Sequence, residues 1–131
     1  MCYIPYDLMY EEIMSLVNYK GYTREAGLNS VGKGWSSLVN RVFDKLESIK
    51  GTIKIIQVKE KYAGLRIYTD YSNSELDEVI RQAERESFKI CETCGNPGKV
   101  RGKGYYYTSC DEHTRPEDKD PISKQPDEYD N

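Results

Sequence analysis

The sequence predicts an α+β protein in which N-terminal helices, a β-hairpin and a further helix are followed by a small lobe rich in cysteine and glycine. Three observations predict this fold class. Apolar residues recur at helical spacing in several segments, two short β-rich segments lie between them, and potential metal ligands form two close pairs near the C-terminus. We expect residues 1–90 to form the α+β domain, residues 91–113 the lobe packed on it, and residues 114–131 a disordered acidic tail that is dispensable for folding.

Two helices are predicted in the first half of the chain. The first lies within Asp7–Tyr19, where apolar residues have helical spacing: Met9, Ile13, Leu16 and Val17. The second is the clearest element. It begins at Trp35 and ends before Gly51, with apolar positions that repeat at helical spacing: Leu38, Val39, Val42, Leu46 and Ile49. Between the two, Gly21–Gly34 holds four glycines and shows little periodicity, which predicts a loop.

A β-hairpin is predicted in the middle of the chain. Thr52–Val58 and Leu65–Thr69 are the two strands, and the turn lies within Lys59–Gly64. The second strand alternates, which predicts two faces: Leu65 and Ile67 on the buried one, Arg66 and Tyr68 on the other. The first strand has apolar residues on both faces, so the pattern does not predict its register.

A third helix is predicted after the hairpin. Ser72 and Glu75 have the spacing of a capping box, in which the serine caps the helix and the glutamate reaches back to it. Apolar residues then mark a helix that runs toward Ile90: Leu76, Val79, Ile80 and Ala83. The helix leads directly into Cys91, so we expect it to hold the lobe rigidly against the domain.

Four potential metal ligands follow this helix as two pairs with the same internal spacing. Cys91 and Cys94 form the first pair, and Cys110 and His113 form the second; His113 is the single histidine of the chain. Two residues between ligands let one tight turn present both side chains to one ion, and Gly95 can adopt the backbone angles of such a turn. Three thiolates and an imidazole suit tetrahedral zinc. The sequence therefore predicts a structural zinc site of the zinc-knuckle or zinc-ribbon type.

Composition and charge narrow the class of protein. No apolar run approaches the roughly 18 residues that span a membrane, and the first residues lack the pattern of a secretory signal. We therefore expect a cytoplasmic protein with no membrane partner, in which the paired cysteines bind metal and the isolated Cys2 is a bystander. The net charge is −3, and the excess lies in residues 114–131, so the rest of the chain is neutral. This balance argues against strong nonspecific nucleic-acid binding.

Two groups of basic and aromatic residues are candidate binding surfaces. The first lies on the predicted hairpin: Lys59, Lys61, Tyr62, Arg66 and Tyr68. Basic groups beside an aromatic ring can hold a phosphate and stack a base, whereas the alternative is a solvated turn, which Glu60 between the two lysines favours. The second group lies in the lobe: Arg101, Lys103 and Tyr105–Tyr107. The alternative there is that the tyrosines complete the small core beside the metal.

The sequence does not indicate an enzyme. The single histidine is assigned to the metal, and the motifs of serine hydrolases and zinc proteases are missing. Lys33 lies between two glycines at a predicted helix start, where backbone amides attract anions, but the spacing of a phosphate-binding loop is missing. We interpret Gly32–Gly34 as a flexible entry to the helix, with Trp35 as a core anchor.

Five segments within about residues 32–113 carry a resemblance to a known family: Gly34–Val39, Gln57–Tyr68, Ala83–Ser87, Cys91–Gly98 and Cys110–His113. They resemble a family of small bacteriophage and prophage proteins that share a Lys-Glu-Lys-x-x-Gly-Leu-Arg-x-Tyr segment and a C-terminal zinc knuckle. The resemblance implies a phage-type source. We predict a non-enzymatic, zinc-stabilised binding protein that inhibits host antiviral defence by binding a defence protein or sequestering a nucleotide signal. A nucleic-acid-binding zinc protein and a metal-dependent nuclease are the alternatives.

Overall fold

The computed structural model describes residues 21–126. The predicted helix within Asp7–Tyr19 and the isolated Cys2 lie outside the described residues. The described part contains the predicted α+β arrangement of helices and antiparallel hairpins, with these elements in order: α1 (Arg24–Asn29), α2 (Ser36–Ser48), β1 (Ile55–Lys61), β2 (Gly64–Thr69), α3 (Ser74–Ser87), β3 (Lys99–Arg101) and β4 (Tyr107–Ser109). The predicted fold class is confirmed.

The prediction of a loop over Gly21–Gly34 is wrong in part, because α1 lies inside this segment. Thr23 caps the helix, since its hydroxyl accepts a hydrogen bond from the amide of Ala26 at 3.0 Å. Gly27 lets α1 approach α2 closely: a Cβ added there would lie 2.9 Å from the Phe43 ring. Six residues are too few to show a helical period, and the glycine that suggested flexibility serves close packing instead.

The core lies between α2, the first hairpin and α3. α2 contributes one apolar stripe, as its spacing predicts, and Trp35 at its start is fully buried. Two ion pairs join the solvent sides of α2 and α3, Arg41–Glu86 at 2.6 Å and Lys45–Glu75 at 2.8 Å. The remaining buried apolar residues come from the hairpin and α3: Ile55, Val58, Leu65, Ile67, Leu76, Ile80 and Ala83.

The first hairpin turns through two residues, Tyr62 and Ala63, because Lys61 pairs with Gly64 across the strands. β1 therefore extends three residues beyond the predicted end at Val58. Tyr62 and Ala63 both have positive φ, 52° and 74°, which is the conformation of the tight hairpin turn that matches strand twist. Burial alternates along β2 as the sequence predicts, with Leu65 and Ile67 facing the core and Arg66 and Tyr68 facing outward.

The start of α3 differs from the predicted capping box. The cap is Asn73, whose side chain accepts a hydrogen bond from the amide of Leu76 at 3.0 Å. Ser72 instead bonds the Asp77 carboxylate, and Glu75 is drawn away to its ion pair with α2. Asparagine and serine are both good caps, so adjacent candidates could not be separated by residue type.

α3 also closes the outer edge of β2. The amide of Leu65 donates to the Ser87 hydroxyl at 2.9 Å, and the amide of Ile67 donates to the Glu84 carboxylate at 3.0 Å. Burial raises the pKa of Glu84, against the opposing effect of this amide. These side chains take the place of a third strand, so an edge that would otherwise pair with another chain is covered.

The Cys/His lobe, residues 91–113, is built on the hairpin of β3 and β4 and docks on the first hairpin. The Thr108 hydroxyl donates to the Ala63 carbonyl at 2.7 Å, and both residues are buried. Trp35 donates from its indole nitrogen to the Ile90 carbonyl at 2.9 Å, just before the lobe begins. The lobe therefore touches the core both at the hairpin tip and at the start of α2.

The predicted disordered tail is wrong for residues 114–126, which pack on the lobe; residues 127–131 lie outside the described part of the chain. Gln125 pairs with β3 as a strand would, since its side chain accepts from the Val100 amide at 2.8 Å and donates to the Val100 carbonyl at 3.1 Å. The Tyr107 hydroxyl donates to the buried Asp118 carboxylate at 2.6 Å. Composition predicts disorder because the segment has little apolar surface, whereas polar contacts hold it on the lobe.

No helix between residues 21 and 126 is long and apolar enough to cross a lipid bilayer.

Candidate functional site

The first ligand pair lies on a tight turn directly after α3. The Cys91 carbonyl accepts a hydrogen bond from the Gly95 amide at 2.9 Å, which closes the turn around the Cys94 side chain. Gly95 has a φ of +85°, a left-handed conformation that glycine adopts without strain, as the sequence predicts. The Cys91 amide donates to the Asn96 carbonyl at 2.7 Å, so the backbone that carries this ligand is bonded on both sides.

The second ligand pair follows β4. The His113 amide donates to the Cys110 carbonyl at 3.2 Å in a single 3-10 turn, which points both side chains the same way. The Thr114 hydroxyl donates to the same carbonyl at 2.6 Å and contacts the Ser109 hydroxyl at 2.6 Å. Ser109, Cys110 and Thr114 are all buried, so the two hydroxyl groups support the second turn from the protein interior.

The two turns face each other and bring the four predicted ligands into one cluster. The Sγ atoms of Cys91, Cys94 and Cys110 and one ring nitrogen of His113 all lie within 4.8 Å of one another. The Cys94 and Cys110 sulfurs are 3.7 Å apart, and the Cys110 sulfur is 3.2 Å from His113 Nδ1. Tetrahedral coordination with metal–sulfur bonds of about 2.3 Å places two sulfurs about 3.8 Å apart. The cluster therefore has the donor set and the spacing of a four-coordinate metal site.

Two of the three cysteines of the cluster, Cys91 and Cys110, have lowered pKa values, whereas the pKa values of Cys94 and His113 are raised. Burial alone would raise the pKa of the Cys91 thiol, but backbone hydrogen bonds at Cys110 and Cys94 outweigh burial and lower this pKa to about 6. Burial would also raise the pKa of the Cys110 thiol, but its hydrogen bond with His113 lowers this pKa. The same hydrogen bond raises the pKa of His113. The thiolate is the form of cysteine that binds metal.

The backbone of Gly32–Gly34 packs directly against the first turn, so the predicted flexible entry to the helix is wrong. The Gly34 amide donates to the Glu92 carbonyl at 2.8 Å. A Cβ at Gly34 would overlap the Cys91 carbonyl oxygen and lie 2.6 Å from the Gly95 amide nitrogen. Two backbones can come this close only where one lacks a side chain. The glycines therefore couple the metal turn to Trp35 and the core.

Substituting Gly34 with alanine is expected to lower the free energy of unfolding by about 1–3 kcal/mol, because the new Cβ forces the first turn away from α2. Denaturant unfolding of the metal-loaded protein measures the change. Lys33→Ala is the matched control, since Lys33 is exposed beside the same glycine and its loss should change stability by under about 0.5 kcal/mol. Unchanged stability of Gly34→Ala would contradict the close packing of these two segments.

The other predicted site residues lie together on the outer side of β1 and β2, on a surface that we call the hairpin face. This surface consists of Lys59, Lys61, Tyr62, Arg66 and Tyr68. Lys59 lies directly opposite Arg66 in the strand register, and its ammonium is 5.8 Å from the centre of the Tyr68 ring. The Arg66 guanidinium lies 6.0 Å from the centre of the Phe88 ring, which supports the arginine side chain. The sequence pattern did not predict that Phe88 contacts this face.

The cations of the hairpin face have no acidic partner within ion-pair distance in the described part of the chain, although Glu84 at the edge of β2 attracts Arg66 at longer range. No carboxylate of residues 21–126 lies within 4.0 Å of Lys59, Lys61 or Arg66. Glu60, which suggested local neutralisation, turns to the other side of the strand and accepts from the Ala63 amide at 2.8 Å. Many other cations of the chain are paired: Arg24, Arg41, Lys45, Arg81, Arg101 and Arg115.

The second candidate surface, in the lobe, contains both buried and exposed residues. Arg101 is only 4% exposed, and its guanidinium bonds the Ser109 and Lys119 carbonyls and the Asp111 carboxylate. Tyr107 is buried and bonds Asp118, as the core alternative predicts for it. Tyr105 and Tyr106 are exposed. The prediction that Arg101 belongs to a basic binding strip is wrong, because the residue fastens the C-terminal segment to the lobe.

Comparison of the chain with protein-family models, with curated proteins and with solved structures gives no match. The functional argument therefore rests on the geometry of the metal cluster and of the hairpin face.

Proposed function

We propose that the protein is a non-enzymatic, zinc-stabilised binding protein that uses the hairpin face to hold an anionic macromolecule. Zinc is the metal that prefers this donor set, three cysteine sulfurs and one histidine nitrogen, and the four ligand atoms lie within 4.8 Å of one another, close enough to share one ion. Zinc bound by Cys91, Cys94, Cys110 and His113 has a full set of protein ligands. Such a closed site stabilises a fold, whereas catalytic zinc keeps one position for water or substrate.

The observation that supports a binding role is the pairing of Lys59 with Arg66. Like charges directly opposite each other on adjacent strands destabilise a hairpin. No carboxylate of residues 21–126 lies within 4.0 Å of either cation, and Glu84 attracts Arg66 only from farther away. Lys61 adds a third positive charge on the same strand. A surface that costs the fold stability is best explained by a negatively charged partner, which the three cations would attract and orient.

The shape of the hairpin face favours a macromolecule over a small nucleotide. Small ligands are usually held in concave sites that bury most of their surface, whereas this face is the open side of a two-stranded sheet. The resemblance to phage proteins suggests a setting for the binding activity. In that setting the anionic partner belongs to the host, and its capture inhibits antiviral defence.

Reversing charge on the hairpin face is expected to weaken partner binding at least about tenfold while the fold survives, because like charges across an interface cost several kcal/mol. The suitable variant is Lys61→Glu with Arg66→Gln, since glutamine keeps some aliphatic cover over the Phe88 ring. The measurement is quantitative mass spectrometry of host proteins and nucleic acid that co-purify with the full chain from host extract.

The matched control for that experiment is Lys33→Glu with Lys50→Gln, which makes the same change in net charge at two exposed lysines outside the hairpin. The control should retain the partner. Equal capture by the hairpin variant and by the unmodified protein would reject the hairpin face as the binding surface, provided that thermal unfolding shows both proteins to be folded.

A further inference from the structure

We propose that the anionic partner is a single-stranded nucleic acid, whose phosphates contact the cations of the hairpin face and whose bases stack on Tyr68, Tyr62 and Tyr106. This inference rests on the proposed function and names the chemistry of its partner. Sequence-tolerant binding of single strands needs two features in one place, a positive track for the backbone and aromatic rings for the bases. The described residues provide both.

The exposed aromatic side chains between residues 21 and 126 are all of one type. All of the large apolar side chains exposed there are tyrosines: Tyr62, Tyr68, Tyr71, Tyr105 and Tyr106. A tyrosine ring can remain in water because of its hydroxyl group and still offer a flat face to a base. Tyrosine is also enriched at protein interfaces, so the choice of a nucleic acid rests on the phosphate-binding cations that lie beside these rings.

Tyr62 carries the strongest sign of a role outside the fold. It occupies the first position of the two-residue turn with a φ of 52°, a conformation that bulky residues rarely adopt and that asparagine or glycine adopts readily. Its side chain is 73% exposed, and the ammonium of Lys61 lies 5.8 Å from the centre of its ring. The tyrosine therefore strains the turn without packing in the core, which indicates that it is retained for a ligand.

The tip of the hairpin, the lobe and the C-terminal segment together form a cleft that begins at Tyr62 of the hairpin face. Tyr62 and Tyr106 both line this cleft, whose volume is about 300 Å³, and its floor contains Val100 and Ile122. The docking bond between Thr108 and the Ala63 carbonyl fixes the tip against the lobe, so the two tyrosines come from different hairpins but from one rigid surface. A flipped base can enter this cleft, while the strand continues along β2 toward Tyr68.

The charge of the protein limits how strong this binding can be. The chain carries a net charge of −3, so the attraction comes from the local cluster of Lys59, Lys61 and Arg66. Three phosphate contacts to a single strand give a slope of about −2 in a plot of log affinity against log salt. We expect moderate affinity in which stacking has a large share, and little preference for sequence.

The test uses the full-length, zinc-loaded protein and a fluorescently labelled oligothymidine of about 12 nucleotides, with binding followed by anisotropy. The salt slope should be about −2 for the unmodified protein, and it should approach zero for Lys61→Glu with Arg66→Gln. Duplex DNA of the same length should bind more weakly, because its bases cannot stack on the tyrosines.

Tyr62→Asn separates binding from folding. Asparagine suits the left-handed turn, so the melting temperature should be equal to or higher than that of the unmodified protein. Binding of the oligothymidine should fall about tenfold, the usual effect of losing one stacking ring. Tyr71→Ser is the matched control: it removes a tyrosine that is 67% exposed beyond the far end of β2 and should leave binding unchanged.

Each outcome decides between the partners. Salt-dependent binding that Tyr62→Asn weakens and Tyr71→Ser does not supports the inference. Absence of oligothymidine binding at low salt overturns it; if the hairpin variant then still loses a host protein from extract, the proposed function stands with an acidic protein as the partner. Oligothymidine binding that neither the charge variant nor Tyr62→Asn changes overturns both the inference and the assignment of the hairpin face.

Discussion

Loss of the metal ion is expected to unfold the Cys/His lobe before the rest of the protein, and to lower the free energy of unfolding by at least about 3 kcal/mol. The reason lies in the size of the lobe. β3 and β4 have three residues each, and the buried apolar side chains between residues 91 and 113 other than the ligands are Val100 and Tyr107. Because so small a core cannot order a lobe by itself, we expect metal coordination to supply most of its stability.

Two experiments measure this effect. Elemental analysis of the purified protein should find one zinc per chain, and Cys94→Ser should abolish that stoichiometry. Hydrogen exchange after chelation should show fast exchange for the amides of residues 91–113, while the amides of α2 and β2 remain protected by the core. Cys2→Ser is the matched control, because it also replaces one cysteine by serine and should retain the metal and the stability.

Zinc-free protein with full protection of the lobe would contradict the structural role of the cluster. Loss of protection over α2 at the same chelator concentration would show that the core unfolds together with the lobe. In that case the contacts of Gly34 and Trp35 with the first ligand turn would make the lobe and the core one cooperative unit.

The features that the sequence predicted correctly are those with a local, repeated signal. α2 extends over several helical turns, so its apolar stripe is visible without knowledge of its neighbours. The alternation of β2 gave the correct faces because one side of the hairpin is buried. The spacing of the two Cys/His pairs alone predicted that the four side chains would cluster. Each pair lies on one tight turn, formed at Gly95 in the first pair and by a 3-10 turn in the second.

The features that it missed depend on contacts between distant segments. Gly34 looked flexible in the sequence, but it is required where two backbones meet 57 residues apart, at Cys91. Arg101 looked like a surface cation, yet it is buried because it bonds carbonyls and a carboxylate from separate segments. Nothing in the local pattern of either residue carries this information, because both contacts exist only after the lobe has docked.

The C-terminal segment shows most clearly how polar contacts can order a chain that composition assigns to disorder, and removing it is expected to have the second large effect. Truncation after Thr114 should lower the melting temperature by about 10 °C or more. It removes Asp118 from the buried Tyr107 hydroxyl, the Lys119 carbonyl from the Arg101 guanidinium, and the Gln125 side chain from β3. Each buried polar group left without its partner costs about 1–3 kcal/mol.

Truncation after Pro126 is the control that isolates this cause. It removes acidic residues of the same tail but leaves every one of the contacts above in place, so its melting temperature should match that of the full chain. A single substitution refines the test: Gln125→Ala deletes two hydrogen bonds to Val100 and should lower the melting temperature by a part of the full effect. If truncation after Thr114 left the melting temperature unchanged, residues 115–126 would contribute nothing to the fold, and the burial of Arg101 would need another explanation.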